Sequence, residues 1–217
     1  ACRIEGLVDR VAAPGQTACA LTDHGVMYGV IDFYRACKAK GIHPVIGCEV
    51  YLAPHSRFDR SYVNGEWHSH LILLCENMTG YRNLIHMVSL GFAEGFYMKP
   101  RIDMDLLRQH SEGLICLSAC LAGVIPRALA EGDMDGAYEL CEQFLEIFDR
   151  DHFYLEVQDH GIAVQKKVNE GLFQLAEELN IGLVATNDAH YLTKKDARIQ
   201  DVLMSIQMGK TVDDPTR

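Results

Sequence analysis

The chain has 217 residues, a length that fits one large α/β domain or, less well, two small ones. Hydrophobic residues make up 48% of the chain and charged residues 23%, which predicts a buried core and argues against disorder. Its formal net charge of -10 at pH 7 excludes a broad duplex-DNA-binding module, because an acidic surface gains nothing from counterion release. The eight cysteines include no CxxC pair, and the apolar runs are too short to cross a bilayer, so we expect reduced thiols in a cytoplasmic protein without a membrane partner.

One pattern recurs along the chain: a segment with helical periodicity is followed by a glycine, a short apolar run and then polar residues. A glycine at or just past a helix end is the expected stop, and the apolar run predicts a strand. The polar strand ends read, in chain order, TDHG at 22–25, GCE at 47–49, SAC at 118–120 and NDAH at 187–190. Other predicted elements are strands at His70–Glu76 and Phe153–Gly161, and helices at Tyr81–Phe92, Ala137–Phe148, Val164–Leu179 and Asp196–Met208. Pro54–Ser69 has no clear period and predicts a long loop.

The order of these elements favours a particular architecture. Strands that alternate with helices indicate βα units and a parallel sheet. In a (β/α) barrel, the chemistry lies at the carboxyl ends of the strands. The four polar strand ends therefore predict a single shared functional edge, and their coincidence carries more weight than any one motif.

The side chains at these strand ends are typical metal ligands. Zinc binds imidazole nitrogen, thiolate sulfur and carboxylate oxygen. The candidates that supply these donors are His24, Glu49, His70, Cys120, Asp188 and His190. Asp188 and His190 are two residues apart, so in a strand both would face the same way. More than four ligands indicate two or three metal ions, with Glu49 as a bridge, in a site able to assist in-line phosphoryl displacement.

Each candidate also has an ordinary structural interpretation. Cys120 alone is more often a small buried hydrophobe, and His70 could simply cap an exposed strand end. TDHG could be an Asx-type turn with Gly25, and NDAH a strand-exit turn. Glu49 is harder to explain without a partner, because an unpaired buried carboxylate is costly. Taken together, the six residues favour a metal site.

Other polar residues are weaker candidates. His160 lies in a second DHG sequence and is predicted at the rim of the site or in support of a ligand. Lys99 and Arg101, in YMKPRID, predict either phosphate contacts or a structural salt bridge. His68 shares an HxH spacing with His70 but ends the predicted loop. Surface positions are predicted for His43, His55, His86 and His110.

In order, the motifs resemble the PHP domain (polymerase and histidinol phosphatase), and most closely the one at the N-terminus of bacterial DNA polymerase III alpha subunits. The main segment is ALTDHGVMYGVIDFYRACKAKGIHPVIGCEVYLAP, at 20–54. The likeness is extended over the chain by HLILLCENMTGYRNL, GFYMKPRID, LICLSACLAGVIP and ATNDAHYL.

The resemblance implies a distorted (β/α)7 barrel at 1–208 with a metal cluster at its mouth, and a linker towards a polymerase core at 209–217. The metal ligands that it implies are His24, Glu49, His70, Cys120, Asp188 and His190, of which His24, Glu49, Asp188 and His190 would also be catalytic. Zinc is the expected cofactor, with manganese and iron as alternatives. Asp23 would orient a ligand rather than bind metal itself.

The implied activity is that of a metal-dependent phosphoesterase with 3′–5′ proofreading exonuclease activity on a DNA 3′ end. The parent subunit would be a DNA-directed DNA polymerase, a nucleotidyltransferase. Expected partners are its remaining domains and, through other domains, a proofreading exonuclease subunit and the sliding clamp. Two alternatives stay open: a stand-alone phosphatase acting on a small ester such as histidinol phosphate, and a non-catalytic scaffold that docks an exonuclease.

This sequence departs from the family pattern at its beginning. The family opens with a strand bearing an HxH motif, followed soon by a further ligand position. Neither is in this sequence, which starts at the helix expected to follow them. We therefore expect a truncated domain without its first strand, whose metal site is incomplete and binds weakly.

Overall fold

The computed structural model describes residues 2–60 and 67–214. The α-helices in these ranges are α1 (Ile4–Ala12), α2 (Val30–Ala39), α3 (Met78–Ala93), α4 (Met104–His110), α5 (Val124–Glu131), α6 (Met134–Phe148), α7 (Ala163–Leu179) and α8 (Ala197–Gln207). The strands are β1 (Ala18–Leu21), β2 (His43–Leu52), β3 (Ser69–Cys75), β4 (Arg101–Ile102), β5 (Leu114–Leu117), β6 (Phe153–Val157) and β7 (Gly182–Ala185). The α/β class predicted from the sequence is confirmed.

Short polar side chains set the start of several helices. Asn77 precedes α3, and its side-chain oxygen accepts hydrogen bonds from the N–H groups of Thr79 and Gly80 at 2.9 and 3.1 Å. Asp103 and Asp133 make the equivalent bonds at the starts of α4 and α6. Because the first backbone N–H groups of a helix lack partners within the helix, these caps define where it begins.

The strands form one mixed sheet in the order β1-β2-β3-β5-β6-β7, with β4 paired to β2. Strands β5, β6 and β7 are parallel to one another, as are β2 and β4. Strand β3 is antiparallel to both of its neighbours, β2 and β5. The prediction of a wholly parallel sheet is therefore wrong. The described part of the connection between β2 and β3 contains no helix, which is the usual crossover between parallel neighbours.

Most predicted elements are present, with shifted ends. Strand β6 stops at Val157, four residues before the predicted end, and β4 and α5 were not predicted. Residues 54–60, 67 and 68 of the predicted loop contain neither helix nor strand, Ser69 begins β3, and 61–66 lie outside the described residues. The predicted division into a domain at 1–208 and a linker at 209–217 stays a prediction. Among the described residues, no helix has both the length and the apolar character needed to span a bilayer.

The chain forms two compact units, and the larger one comprises Ala20–Val30 and Val45–Asn187. Its core is built from β2 to β6 with helices α3 to α7, and includes Val50, Leu73, Leu84 and the stacked rings of Phe144 and Phe153. The smaller unit contains the remaining described residues and buries an apolar set of its own, Val8, Val11, Phe33, Cys37 and Ile42. The larger core fixes the strands that carry the candidate site.

Candidate metal centre

The first part of the site is a loop held against β2. The N–H of Glu49 donates to the carbonyl oxygen of Asp23 at 3.1 Å, and the N–H of Gly25 donates to the carbonyl of Glu49 at 2.9 Å. His24, between them, forms a parallel bridge with Glu49. Two backbone hydrogen bonds therefore fix the imidazole of His24 beside the carboxylate of Glu49.

Gly25 is required by the packing of this loop. Its φ is +67°, and a Cβ atom there would lie 2.7 Å from Cε2 of Tyr51 and 3.0 Å from Cγ of Pro100. A larger residue would push the loop away from β2 and take His24 with it. The TDHG sequence is thus more than a local turn, because its glycine seats the loop against two other parts of the larger unit.

The second part of the site is the beginning of β3. His70 pairs with Tyr51 across the antiparallel β2–β3 ladder, and its N–H donates to the carbonyl of Ala122 at 2.9 Å. Ala122 belongs to the turn after β5 that also contains Cys120. This places Sγ of Cys120 3.7 Å from Nδ1 of His70.

Three donor atoms converge at the centre of the site. Oε1 of Glu49 lies 2.7 Å from Nδ1 of His24 and 2.7 Å from Nδ1 of His70. One ligand atom from each of these residues lies within 4.8 Å of the others. Glu49 is only 4% exposed, and none of the contacts that the described residues make with its Oε1 has hydrogen-bond geometry. Because imidazole nitrogen and carboxylate oxygen are divalent-cation ligands, the three converging residues fit a metal ion.

The carboxylate of Glu49 and the imidazole of His70 each stabilise the charged form of the other. Burial alone would raise the pKa of Glu49, but the contacts with His24 and His70 outweigh it and lower the pKa to about 2. Burial alone would lower the pKa of His70, but the contacts with Cys120 and Glu49 raise it to about 9. At neutral pH and without metal, the centre is therefore a carboxylate held against a protonated His70.

Asp188 and His190 follow β7 and belong to the smaller unit. Nδ1 of His190 lies 2.9 Å from the carbonyl oxygen of Asp188 and 3.6 Å from its Oδ1, and both residues are exposed. The premise that Asp188 and His190 lie in a strand is wrong, because β7 ends at Ala185 and Asp188 has a φ of +44°. That they share a pocket with the other four ligand candidates stays a prediction.

A family model of the PHP domain matches residues 1–160. The chain belongs to the PHP domain family. It is 48% identical over 215 residues to the DNA polymerase III subunit alpha of Treponema pallidum, covering 99% of this chain and 18% of that protein. The same subunit of Thermus aquaticus is 46% identical over 206 residues, covering 94% of this chain and 17% of that protein. The chain thus spans less than a fifth of the length of these relatives.

Solved structures of low sequence identity share the fold of this PHP domain. A protein of Bifidobacterium adolescentis assigned as a metal-dependent phosphoesterase superposes with a TM-score of 0.56 at 11% identity, covering 93% of this chain and 90% of that one. An amidohydrolase from Chromobacterium violaceum gives a TM-score of 0.53 at 12% identity, covering 86% of this chain and 82% of that one. The predicted PHP-type fold is confirmed.

The structure gives the predicted supporting residues specific positions. The backbone carbonyl of Asp23 accepts a hydrogen bond from the N–H of Glu49. His160 has both ring nitrogens engaged: Nδ1 lies 3.0 Å from Nε2 of Gln165, and Nε2 lies 2.9 Å from the carbonyl oxygen of Asn187. An amide nitrogen can only donate, so the proton of a neutral His160 is on Nε2 and is donated to Asn187. His160 therefore supports the backbone just before Asp188 and has no ring nitrogen left for a metal or a phosphate.

Arg101 is not a phosphate-contact residue. Its side chain is 1% exposed and donates to the carbonyl oxygens of Gly95, Trp67, Arg57 and Asp59 at 2.6 to 3.2 Å. A guanidinium saturated by backbone acceptors in the interior has a structural role, and the salt bridge considered from the sequence is replaced by these carbonyls. Lys99 points elsewhere and lies over the ring of Tyr51, with Nζ 5.2 Å from the ring centroid.

Two aromatic residues of the site were not assigned a role from the sequence. Tyr51 presents its ring to His70 and His68, with centroid distances of 5.5 and 4.8 Å. The Nδ1 atom of His68 is buried and has no hydrogen-bond partner within 2–60 and 67–214. Mainly because of burial, the pKa of His68 is lowered to about 4. Both residues could have been found from their spacing in the sequence, because residues two apart in a strand share a face. Tyr51 comes two residues after Glu49, and His68 two residues before His70.

Proposed function

We propose that this PHP domain is a metal-dependent phosphoesterase centre that hydrolyses phosphodiester bonds at a DNA 3′ end. The observation that carries the proposal is the convergence of His24, Glu49 and His70 within 4.8 Å around a buried carboxylate oxygen that lacks a hydrogen bond. Cys120 adjoins the three ligands through His70, and Asp188 and His190 are proposed to complete the site from the sequence motif alone. The relatives are replicative polymerase subunits, which supports a DNA substrate.

The residues of this chain have separate tasks in the proposed reaction. Glu49 offers a negatively charged oxygen at neutral pH to any cation held by the two imidazoles, and its burial excludes water from behind it. His24 and His70 present nitrogen ligands on backbones fixed by hydrogen bonds to neighbouring strands and turns. A bound divalent cation supplies a Lewis acid for the phosphoryl group and lowers the pKa of a coordinated water. Zinc is proposed because Cys120 offers a soft thiolate, with manganese and iron as alternatives.

The activity of the parent protein is part of the proposal. A chain related to this part of the DNA polymerase III alpha subunit would belong to a DNA-directed DNA polymerase, and the polymerase reaction would lie in its other domains. Those domains and the DNA 3′ end are the proposed partners. A separate exonuclease subunit and the sliding clamp would be reached through other domains. A cytoplasmic location follows from the same proposal.

The test compares metal binding and cleavage in matched variants. After removal of metal with a chelator and addition of Mn²⁺ or Zn²⁺, the chain should shorten a 5′-labelled single strand from its 3′ end. Glu49→Gln should abolish both metal retention and cleavage, whereas Glu146→Gln, an exposed change of the same charge on α6, should leave both intact. Retention of metal and full cleavage by Glu49→Gln would defeat the proposal.

Two other outcomes would replace it by the alternatives. Metal-dependent release of phosphate from a small monoester, with no shortening of DNA, would identify a small-molecule phosphatase. Failure of the chain to bind any divalent cation, measured by elemental analysis after dialysis, would favour the non-catalytic scaffold.

A further inference from the structure

Among the described residues, the ammonium group of Lys99 has no carboxylate partner, although it lies close to the ligand cluster. It is partly buried, and no carboxylate among residues 2–60 and 67–214 lies within ion-pair distance of it. Its Nζ lies over the ring of Tyr51 instead, 5.2 Å from the centroid.

Tyr51 links Lys99 to the ligand cluster. Tyr51 is two residues after Glu49 on β2, so both side chains emerge from the same face of the strand. Its ring meets the ring of His70 edge-on, with the centroids 5.5 Å apart and an interplanar angle of 73°. The ring also lies against Gly25, next to His24, because a Cβ atom at Gly25 would be only 2.7 Å from Cε2 of Tyr51. The ring of Tyr51 therefore contacts the ammonium group of Lys99 as well as the ring of His70 and the backbone next to His24.

The backbone that carries Lys99 is held firmly. Its carbonyl accepts the N–H of Tyr97 at 3.1 Å, and two residues later Arg101 pairs with Tyr51 in the parallel β2–β4 ladder. The side chain of Arg101 anchors the same segment through its four carbonyl acceptors. Because the base of Lys99 is fixed, its reach is limited to the surroundings of Tyr51 and the cluster.

We propose that Lys99 is a substrate-binding residue, whose ammonium group binds a phosphate oxygen of the phosphoester positioned at the His24–Glu49–His70 cluster. The proposal rests on the proposed function and deepens it by assigning an anion subsite to a residue that is not a metal ligand. A lysine ammonium is a compact charge with three donors, which suits a phosphate of varying orientation. The partner chemistry is a phosphate ester anion, either of a DNA strand or of a small monoester.

The first experiment measures binding without metal, so that it is independent of catalysis. Chelator-treated chain is titrated into a fluorescein-labelled oligothymidylate, and anisotropy is recorded over a range of salt concentrations. For Lys99→Gln we expect affinity to fall about tenfold and the slope of log K against log salt to decrease by about 0.7, the value for one phosphate contact on a single strand. Lys99→Arg, which keeps the charge, should retain most of the affinity.

Lys38 provides the matched control. Its Nζ lies 5.6 Å from the centroid of the Tyr34 ring, which is the same type of contact on α2. Lys38→Gln removes an equal charge and should leave both the affinity and the salt slope unchanged. Equal losses in Lys99→Gln and Lys38→Gln, or no loss in Lys99→Gln, would overturn the proposal.

The second experiment separates this proposal from the proposed function. In metal-loaded chain, Lys99→Gln should raise KM about tenfold with unchanged metal content, whereas loss of metal from the variant would show a structural role and overturn the assignment. If the wild-type chain cleaves nothing, the metal-free binding experiment still decides the role of Lys99. Competition by inorganic phosphate as strong as that by unlabelled oligothymidylate would identify a general phosphate subsite, and competition by the oligonucleotide alone a DNA subsite.

Discussion

At the scale of single residues, the chemistry of the centre is decided by one oxygen atom. Oε1 of Glu49 is approached at 2.7 Å by nitrogens of His24 and His70, in a place where neither contact has the geometry of a hydrogen bond. Two imidazole nitrogens and a carboxylate oxygen that meet without a good hydrogen bond are well placed to share a cation instead. Metal and protons therefore compete for the same atoms.

This competition predicts a pH dependence of metal binding. The pKa of His70 is raised to about 9 in the metal-free protein, so a cation that binds its Nδ1 at neutral pH must displace a proton. Affinity for Mn²⁺ should therefore rise about tenfold per pH unit from about pH 6 to pH 8 and level off above about pH 9. Isothermal titration calorimetry in buffers of different ionisation enthalpy would measure the proton release. An affinity that does not change with pH over this range would contradict the prediction.

The ligand set shows what sequence reasoning can reach at this scale. His24, Glu49, His70 and Cys120 were predicted together from polar residues at the ends of apolar runs, and the structure brings them together. Asp188 and His190 were grouped by a strand rule that fails, because the strand ends before them. The spacing of residues in a sequence predicts a common face only where the backbone stays extended.

At the scale of elements, the reversed direction of β3 explains a ligand in an unexpected place. His70 lies at the beginning of its strand, whereas Cys120 lies just past the end of β5 and Glu49 lies near the end of β2. Antiparallel pairing places the beginning of β3 beside the ends of both neighbours, with Tyr51 opposite His70 and Leu117 opposite Ile72. Hydrophobic alternation does not depend on strand direction, so the sequence predicted β3 but could not predict its orientation.

Close packing of α3 against β5 gives a prediction about stability. A Cβ atom on Gly80 would overlap the carbonyl oxygen of Gly113, in the turn that leads into β5. Gly80→Ala should therefore lower the free energy of unfolding by about 1–3 kcal/mol, the usual cost of overpacking. Gly91→Ala is the matched control in the same helix, because its Cβ would meet its nearest atom at an ordinary 3.4 Å. Urea denaturation would compare the variants, and equal stabilities of the two would count against this account.

The hydrogen bonds that link α7, through His160, to the segment after β7 give a second prediction at this scale. Gln165, buried on α7, accepts from the N–H of His160 and donates to its Nδ1. Gln165→Glu keeps the shape but replaces the donor by an acceptor, so a neutral His160 should move its proton from Nε2 to Nδ1 or become charged. Either change alters the ring ¹⁵N shifts, which long-range ¹H–¹⁵N NMR measures. Gln174→Glu, an exposed change on the same helix, should leave those shifts unchanged, and unchanged shifts in Gln165→Glu would refute the assigned tautomer.

At the scale of the whole molecule, the α/β class was predicted correctly from strands that alternate with helices. The acidity of the chain directs attention to a local site rather than a broad binding surface. A net charge of -10 opposes attraction to a nucleic-acid backbone over most of the surface. Under the proposed function, contact with DNA would therefore be concentrated where positive charge is added, by cations held at the cluster and by Lys99 beside it. The division into two compact units could not be read from the sequence, because the smaller unit is assembled from three separate stretches of chain.

The same cations should stabilise the folded chain as a whole. A ligand that binds the folded state at about one hundred times its Kd adds about 2.7 kcal/mol to the free energy of unfolding. For a chain of this size, that corresponds to a rise in Tm of about 5–11 °C, measurable by differential scanning calorimetry before and after removal of metal. Glu49→Gln should lose this increment because its neutral amide cannot replace the carboxylate at the centre of the cluster, whereas Glu146→Gln should keep it. If both variants gained equally from added metal, the cation that stabilises the fold would lie elsewhere in the chain.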